Sequence, residues 1–370
     1  MTEPPASPQP NAPATSDGLT RFPCKQCGAR LEFAPGTQAL VCPYCGVSNE
    51  IAQADGAGQE LDFLATLEDL ETHADRYEHL TVKCDSCGAE IEAPANVSSF
   101  PCPFCSSNIV ATARAATHIK PGAILPFKMT AAQARDMYAR WVHSRWFAPT
   151  RLRRESFIDA TFTGTYVPSW TYDCAARTRY AGQRGDAYYV TVIINKTPTR
   201  QRRINWTSVS GSVANRFDDV LVLASKSLSP KQLEELDPWN TKECVPYDDA
   251  YLAGFRAEVY QVTLKDGFEI AKDKMRPLIE ASIRSNIGGD EQRIDALSTS
   301  YADITFKHLL LPVWLSAYRF HEKVYRFMVN ARTGEVVGER PYSTAKITLF
   351  IIMCMMALAI VVLLLMQSQR

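Results

Sequence analysis

Cys24-Lys25-Gln26-Cys27-Gly28 and Cys42-Pro43-Tyr44-Cys45-Gly46 open the folded part of this chain. Together they read C-x2-C-x14-C-x2-C. Cys84, Cys87, Cys102 and Cys105 repeat the pattern, each 60 residues after its counterpart, so eight of the eleven cysteines belong to two copies of one ligand set. Two thiolates separated by two residues grip one ion from a tight turn. The glycine after the second cysteine allows a positive φ, so that amides point at the sulfurs. Four sulfurs close a tetrahedral shell and leave no position for water, the mark of a structural zinc site rather than a catalytic one. The spacing therefore predicts two Zn2+ ions, held by Cys24, Cys27, Cys42 and Cys45 and by Cys84, Cys87, Cys102 and Cys105. Modules of about thirty residues have almost no core, so metal supplies most of their folding energy. The fourth turn carries Ser106 where the other three carry glycine.

Working outward, residues 1–20 contain five prolines and read as a disordered lead-in. The first ribbon is expected over 21–51, with Pro35-Gly36 as the turn of its hairpin. Residues 52–81 are acidic, and Leu61, Leu64, Leu67, Leu70 and Ala74 recur at helical spacing, which predicts a linker helix of about twenty residues. The second ribbon is expected over 82–110. Residues 115–340 form an α+β domain. Its helices are expected at 131–147, capped by Thr130, at 229–236, with Ser229 as cap and Pro230 at the first position, and at 264–287, ended by Gly288-Gly289. Strands are expected at 161–173, 177–182, 188–196, 204–210, 220–223, 257–262, 304–311, 313–320, 324–330 and 335–339, with a hairpin tip near Pro198 and Arg200–Arg203. Val167-Pro168-Ser169-Trp170 and Leu311-Pro312-Val313-Trp314 each follow a helix. The match raises a duplication into two similar halves, with Trp170 and Trp314 in equivalent core places.

From 347 to 366 the chain runs twenty residues without a charge, and only Gln367–Arg370 follow. Such a run spans roughly 30 Å as a helix, the thickness of a bilayer core. It predicts a single C-terminal transmembrane helix on a tail-anchored protein. No apolar leader stands at the N-terminus, and CxxC pairs at metal spacing belong to reduced thiols. The expected location is therefore the membrane, with the N-terminal body in the cytoplasm.

The 370 residues carry zero net charge, 46% hydrophobic and 22% charged side chains, which excludes a generally basic nucleic-acid coat protein. Charge is unevenly spread. Arg140–Arg203 holds twelve Lys and Arg against four acids, whereas Asp55–Glu78 holds eight acids against Arg76. These blocks read as solvated faces or as partner surfaces. Neither ribbon has the basic face that phosphate binding needs. No P-loop, dinucleotide fingerprint, H-E-x-x-H or G-x-S-x-G occurs, so no catalytic residue is named. Six histidines are scattered, Cys174 and Cys244 read as packed thiols, and the adjacent pairs Asp218-Asp219 and Asp248-Asp249 point to opposite faces.

The cysteine modules resemble TFIIB-type and rubredoxin-like zinc ribbons. Beyond them, Tyr166–Asp173, Tyr180–Gly185, Leu311–Trp314 and Tyr325–Ser343 make the layout similar to a family of bacterial membrane proteins of unassigned function. That family carries N-terminal zinc ribbons, a soluble domain and a C-terminal membrane helix. Its members are labelled TFIIB-type zinc-ribbon proteins or primosomal protein N′, the replication-restart helicase. This chain lacks the helicase motor, and the resemblance brings no catalytic residues. The expected role is a non-enzymatic docking scaffold at the membrane, with a protein partner. The alternatives are nucleic-acid binding through Arg151, Arg153, Arg154, Arg200, Arg202, Arg203 and Trp206, the same arginines lying on anionic lipid, or an unrecognised enzyme in the α+β domain.

Overall fold

The computed structural model describes residues 22–51, 60–72, 76–84, 86–92, 99–104, 107–110, 114–150, 162–194, 197–320 and 323–368. The chain is mixed α/β and built mostly of strands. Around the first cysteines, β1 (Glu32–Phe33), β2 (Ala39–Val41) and β3 (Ser48–Glu50) form a small antiparallel sheet in that order. Gly36 turns the first hairpin with φ +80°. Next, β4 (Leu61–Asp62) leads directly into α1 (Phe63–Thr72). The second cysteines lie among β5 (Arg76–Lys83), β6 (Glu90–Glu92), β7 (Ser99–Pro101), β8 (Asn108–Val110) and β9 (Arg114–Ile119). There β5 pairs with both β6 and β9, and β7 with β8.

The remaining chain runs β10 (Ala123–Ile124), α2 (Ala131–Ser144), β11 (Thr163–Ile194), β12 (Thr197–Leu223) and α3 (Pro230–Glu235). It continues with β13 (Val245–Pro246), β14 (Arg256–Ala257), α4 (Leu264–Ile287), β15 (Glu291–Phe320), β16 (Lys323–Asn330), β17 (Val336–Gly338) and α5 (Thr344–Ser368). Nine of the described strands share one sheet, whose spine is β12-β11-β15. At roughly 3.3 Å per residue the 30-residue β15 reaches about 100 Å.

Local chemistry accounts for the helices. Thr130 and Gln133 form a capping box at the start of α2, and Ser229 and Gln232 form another before Pro230. The α4 helix starts at Thr263 and stops at Gly288, which has φ +68°. Its buried residues Leu264, Phe268, Ala271, Met275, Ile279, Ile283 and Ile287 recur at three and four, and pack on the inner face of β11 and β12.

Three expectations are corrected. The linker helix is ten residues long. Asp62 caps it by accepting from the Ala65 amide (2.8 Å), and Leu61 is spent in β4 against Phe306. Phe63, absent from the expected apolar row, plugs the core against Tyr172, Phe268 and Phe306, while Leu64 faces solvent. Ala74 lies outside the described residues. Secondly, the strands expected at 161–173, 177–182 and 188–196 are the single strand β11, and those at 304–311 and 313–320 belong to β15. Extra residues at the acidic breaks are absorbed as bulges beside Asp173, with Asp219 and Asp303 at φ +51° and +50°. Pro198 and Arg200–Arg203 consequently lie within β12. Thirdly, the strand expected at 257–262 is limited to Arg256–Ala257.

The two proline–tryptophan motifs meet each other. Pro312 follows Pro168 by 144 positions, and Val167 pairs with Leu311, also 144 positions apart (311 − 167). Thr130 and Thr263 are 133 apart, as are Ala123 and Arg256. Ala123 runs parallel to β15 at Leu309, and Arg256 runs parallel to β11 at Thr165 (309 − 165 = 144). The Trp170 indole donates to the Val262 carbonyl and the Trp314 indole to the Met129 carbonyl, both at 3.0 Å. Each carbonyl directly precedes the capping threonine of the other segment's helix. Amides of Lys128 and Met129 converge on the Ala331 carbonyl, as those of Gln261 and Val262 do on Ala224.

Candidate metal centres

Each described cysteine turn is built alike. The Cys24 amide donates to the Ala29 carbonyl (2.7 Å), Cys42 to Val47 (3.0 Å), Cys84 to Ala89 (2.8 Å) and Cys102 to Ser107 (2.8 Å). Gly28, Gly46 and Gly88 donate back to the first cysteine's carbonyl and have φ of +73°, +73° and +76°. That conformation is free for glycine and strained for other residues. Cys105 and Ser106 lie outside the described residues.

The folding brings Cys24, Cys27, Cys42 and Cys45 together, with all four sulfurs within 4.8 Å of one another. Cys24–Cys45 and Cys27–Cys42 are separated by 3.5 Å and Cys27–Cys45 by 3.6 Å. A disulfide needs about 2.05 Å. A tetrahedron with metal–sulfur bonds of about 2.3 Å has an edge of about 3.8 Å, so the cluster has the dimensions of a four-thiolate metal shell. Cys84, Cys87 and Cys102 also converge, with Cys87 and Cys102 3.7 Å apart. Both clusters could hold a metal ion.

Protons are unevenly shared in the first cluster. The Cys45 amide, helped by the Tyr44 amide, holds the Cys42 thiol down at about 6, and the amides of Cys27 and Gln26 lower Cys24. The Val47 amide favours the Cys45 thiolate, yet burial and the three neighbouring sulfurs outweigh it and push that thiol up to about 12. Cys27 is raised as well: the Ala29 amide acts against the rise, and the Cys42 sulfur drives it. Four thiolates cannot coexist at this range without a cation to neutralise them.

The two clusters dock differently. Leu31, Phe33 and Leu40 of the first pack into a core with Phe127, Tyr138 and Tyr251. The Phe33 amide donates to the Ala253 carbonyl and the Gly36 amide to that of Phe127, both at 2.9 Å. Val82, Ile91 and Phe104 of the second pack with Leu125, Leu223 and Leu311, and the Val259 amide donates to the Glu90 carbonyl (3.2 Å). Tyr44 and Phe104 hold the same place between their ligands, 60 residues apart. Phe104 is 3% exposed and Tyr44 is 83% exposed.

The residues proposed from sequence for other chemistry stay apart. Cys174 is buried against Met275, and burial lifts its thiol to about 11. Cys244 is half-buried elsewhere, against the separate core that contains Leu223, Leu236 and Leu311. Asp219 takes Lys307 (3.1 Å) and Thr241 (2.8 Å), and Asp248 caps a short 3-10 turn. Arg200 lies over Tyr189 and Arg202 pairs with Glu291 (2.6 Å), while Arg151, Arg153 and Arg154 fall outside the described residues. Reading the sequence missed Glu258. It is 2% exposed and accepts from Ser225 (2.8 Å) and Ser227. Burial pushes its carboxyl up to about 8, with Glu90 adding to the rise and the two serines opposing it. The Glu258 amide donates to the Tyr166 carbonyl as the Leu125 amide does to that of Leu310, so a carboxyl stands where the matching segment has leucine.

No family model matches the chain, and no solved structure matches it. The chain is similar to the uncharacterized protein YdjG of Bacillus subtilis (strain 168). The two are 24% identical over 243 residues, which cover 63% of this chain and 67% of YdjG.

At the other end, α5 is long and apolar enough to cross a membrane, and none of its apolar window is buried within the protein. Its 25 residues span about 37 Å.

Proposed function

We propose that this chain is a membrane-anchored, cytoplasmic docking scaffold carrying two structural zinc ribbons, and that it acts by binding a protein rather than by catalysis. The observation that carries the reading is the contrast between Tyr44 and Phe104. The turn at 102–104 spends its aromatic on the chain's own core, while the turn at 42–45 presents the equivalent aromatic to solvent. A tyrosine on a metal-rigidified turn loses little entropy on docking and brings both an apolar ring and a hydroxyl. Zinc is the ion of choice, because all-sulfur tetrahedral shells suit it and it has no redox chemistry of its own. The α5 helix is the anchor, its exposed apolar surface being costly in water.

The long-strand core is two copies of one helix–strand unit, related by a pseudo-twofold axis between Val167 and Leu311. The reciprocal tryptophan bonds and matched registers support this duplication. The same reading places the chain with the bacterial zinc-ribbon membrane proteins it resembles. Nucleic acid is the weaker reading, since Arg200 and Arg202 are already engaged by Tyr189 and Glu291.

The test is a crosslinked pull-down of full-length protein from native membranes, treated with nuclease. A protein that is recovered by the parent chain and lost with both Tyr44→Ala and Cys42→Ser supports the scaffold. Recovery unchanged by Tyr44→Ala sinks it, and recovery abolished by nuclease moves the function to nucleic acid.

A further inference from the structure

The arm formed by β11, β12 and β15 has two unlike faces. Cys174, Ala176 and Tyr180 point inward and are covered by α4. The alternate residues, Arg177 and Arg179, are exposed on the outer face. Pairing fixes what stands beside them. Ala214 and Ser300 flank Arg177, Ser212 and Ser298 flank Arg179, and Arg216 stands one row lower, across from Ala175. These flanking residues and Arg216 are exposed as well. No carboxylate stands in any of the three rows. Among the described residues the three guanidiniums form no ion pair, not even with Asp218 and Asp303, the acids nearest the lowest row.

Like charges on neighbouring positions of a sheet face repel one another. Nothing among the described residues relieves the repulsion here, so an outside polyanion gains by doing so. Toward the tip the positive charge continues: Arg293 lies 3.9 Å over the Trp206 ring and Arg200 4.2 Å over that of Tyr189. Toward the base the face turns acidic, where Asp219 and Glu60 hold Lys307 at 3.1 and 3.2 Å. That boundary confines an anionic guest to the arm.

Geometry narrows the guest further. Arg177 and Arg179 are two residues apart on one strand, about 6.6 Å. An extended peptide repeats its alternate side chains at the same spacing. Single-stranded nucleic acid gains affinity on such a face by stacking its bases on aromatic rings, and Trp206 and Tyr189 already carry guanidiniums. A bilayer is flat, whereas strands of this length twist, so a membrane meets only a short stretch of the arm. A flexible acidic chain follows the twist.

We propose that the outer face of the arm docks an extended acidic segment of a protein partner, with carboxylates at alternate positions on Arg177 and Arg179 and a third on Arg216. The proposal rests on the reading of the chain as a docking scaffold and names the chemistry of what it docks. Ser212, Ser298 and Ser300 offer hydroxyls in the same rows for the guest's remaining polar groups.

The test uses the full-length protein in detergent and the fluorescence anisotropy of three labelled probes. One is a peptide of about sixteen residues that alternates glutamate and serine. The second has the same composition, with glutamates and serines in blocks of about four. The third is a single-stranded oligonucleotide of the same charge. The alternating peptide should bind best, and Arg177→Gln combined with Arg179→Gln should weaken it about tenfold, as expected for two exposed charge pairs. Should that double variant fail to fold, Arg216→Gln reads the third contact and should weaken binding about threefold. Arg276→Gln, on the exposed side of α4, should leave binding unchanged. No binding of the alternating peptide, equal affinity for the block peptide, tighter binding of the oligonucleotide, or affinity untouched by the arm variants overturns the proposal. The membrane pull-down separates the two readings. A partner that depends on Tyr44 while the peptide fails to bind sinks the arm face alone. Peptide binding with no protein recovered from membranes supports the arm face and sinks the role given to Tyr44.

Discussion

Replacing Glu258 with glutamine should flatten the pH dependence of this protein's stability. The carboxyl is fully buried, and its folded value of about 8 lies far above its ordinary 4.5. Below pH 4.5 it is protonated in both states and burial costs little. Between 4.5 and about 8 the folded chain holds a proton that the unfolded chain has released, so stability falls as pH rises. The fall follows 1.36 kcal/mol per pH unit for one proton, which amounts to about 2 kcal/mol between pH 6 and pH 8. Glutamine keeps an oxygen for Ser225 and Ser227 and does not titrate. Denaturant unfolding of the full-length protein in detergent, with its metal content held constant, at intervals from pH 6 to 8, measures both slopes. The difference between Glu258→Gln and the parent cancels all other titrating groups. The variant should gain about 2 kcal/mol on the parent across that window. Parallel curves would refute the reasoning, because they would mean that the carboxyl ionises freely in the folded chain.

Trp170→Phe and Trp314→Phe should each cost about 2 kcal/mol in denaturant unfolding, by the loss of an indole hydrogen bond and of buried area. Costs that differ several-fold would argue against equivalent places. Gly267→Ala puts a Cβ 2.3 Å from the Tyr172 hydroxyl and 2.9 Å from Trp170 Cδ1. The clash should outweigh the helix-propensity gain of about 1 kcal/mol and lower the melting temperature; a rise would show that the tyrosine yields freely. Metal binding to the first cluster should release protons near neutral pH, chiefly from Cys45 and Cys27, whose thiols are raised. Calorimetry in buffers of different ionisation heat counts them, and no release would mean that the thiols are already ionised. Affinity should rise with pH over the same range.

Much of this architecture is legible residue by residue. Thr130, Ser229 and Gly288 announce their helix ends through local hydrogen bonds, which need no knowledge of the rest of the chain. The cysteine spacing likewise specifies a turn and a ligand set within a few residues. What escapes such reading is set by distant partners. Asp219 and Asp303 look like strand breakers, yet they sit in bulges that let β12 and β15 run on, because β11 supplies a continuous template. The leucine row at 61–70 has helical spacing, but Phe63 fits the aromatic cavity formed by Tyr172, Phe268 and Phe306, and that cavity exists only once the sheet has closed. Glu258 offers no local sign at all. Its burial follows from the bond of its amide to the Tyr166 carbonyl, which seats it against the sheet. The proline–tryptophan motif drew attention to Val167–Trp170 and Leu311–Trp314, although not to their pairing with each other across β11 and β15.

The exchange of tryptophan anchors has a consequence for how the chain is made. The helix that begins after Thr130 waits for Trp314, which leaves the ribosome 184 residues later (314 − 130). At roughly 5–20 residues per second that delay is about 10–40 s. Over the same interval β11 has no β15 to pair with, whereas the first four cysteines are already free to take up metal. Nascent chains of this protein therefore pass through a long stage in which the cysteine clusters can already close and the body they dock on is incomplete. A holdase that shields the open edge of β11 would be needed most in that interval.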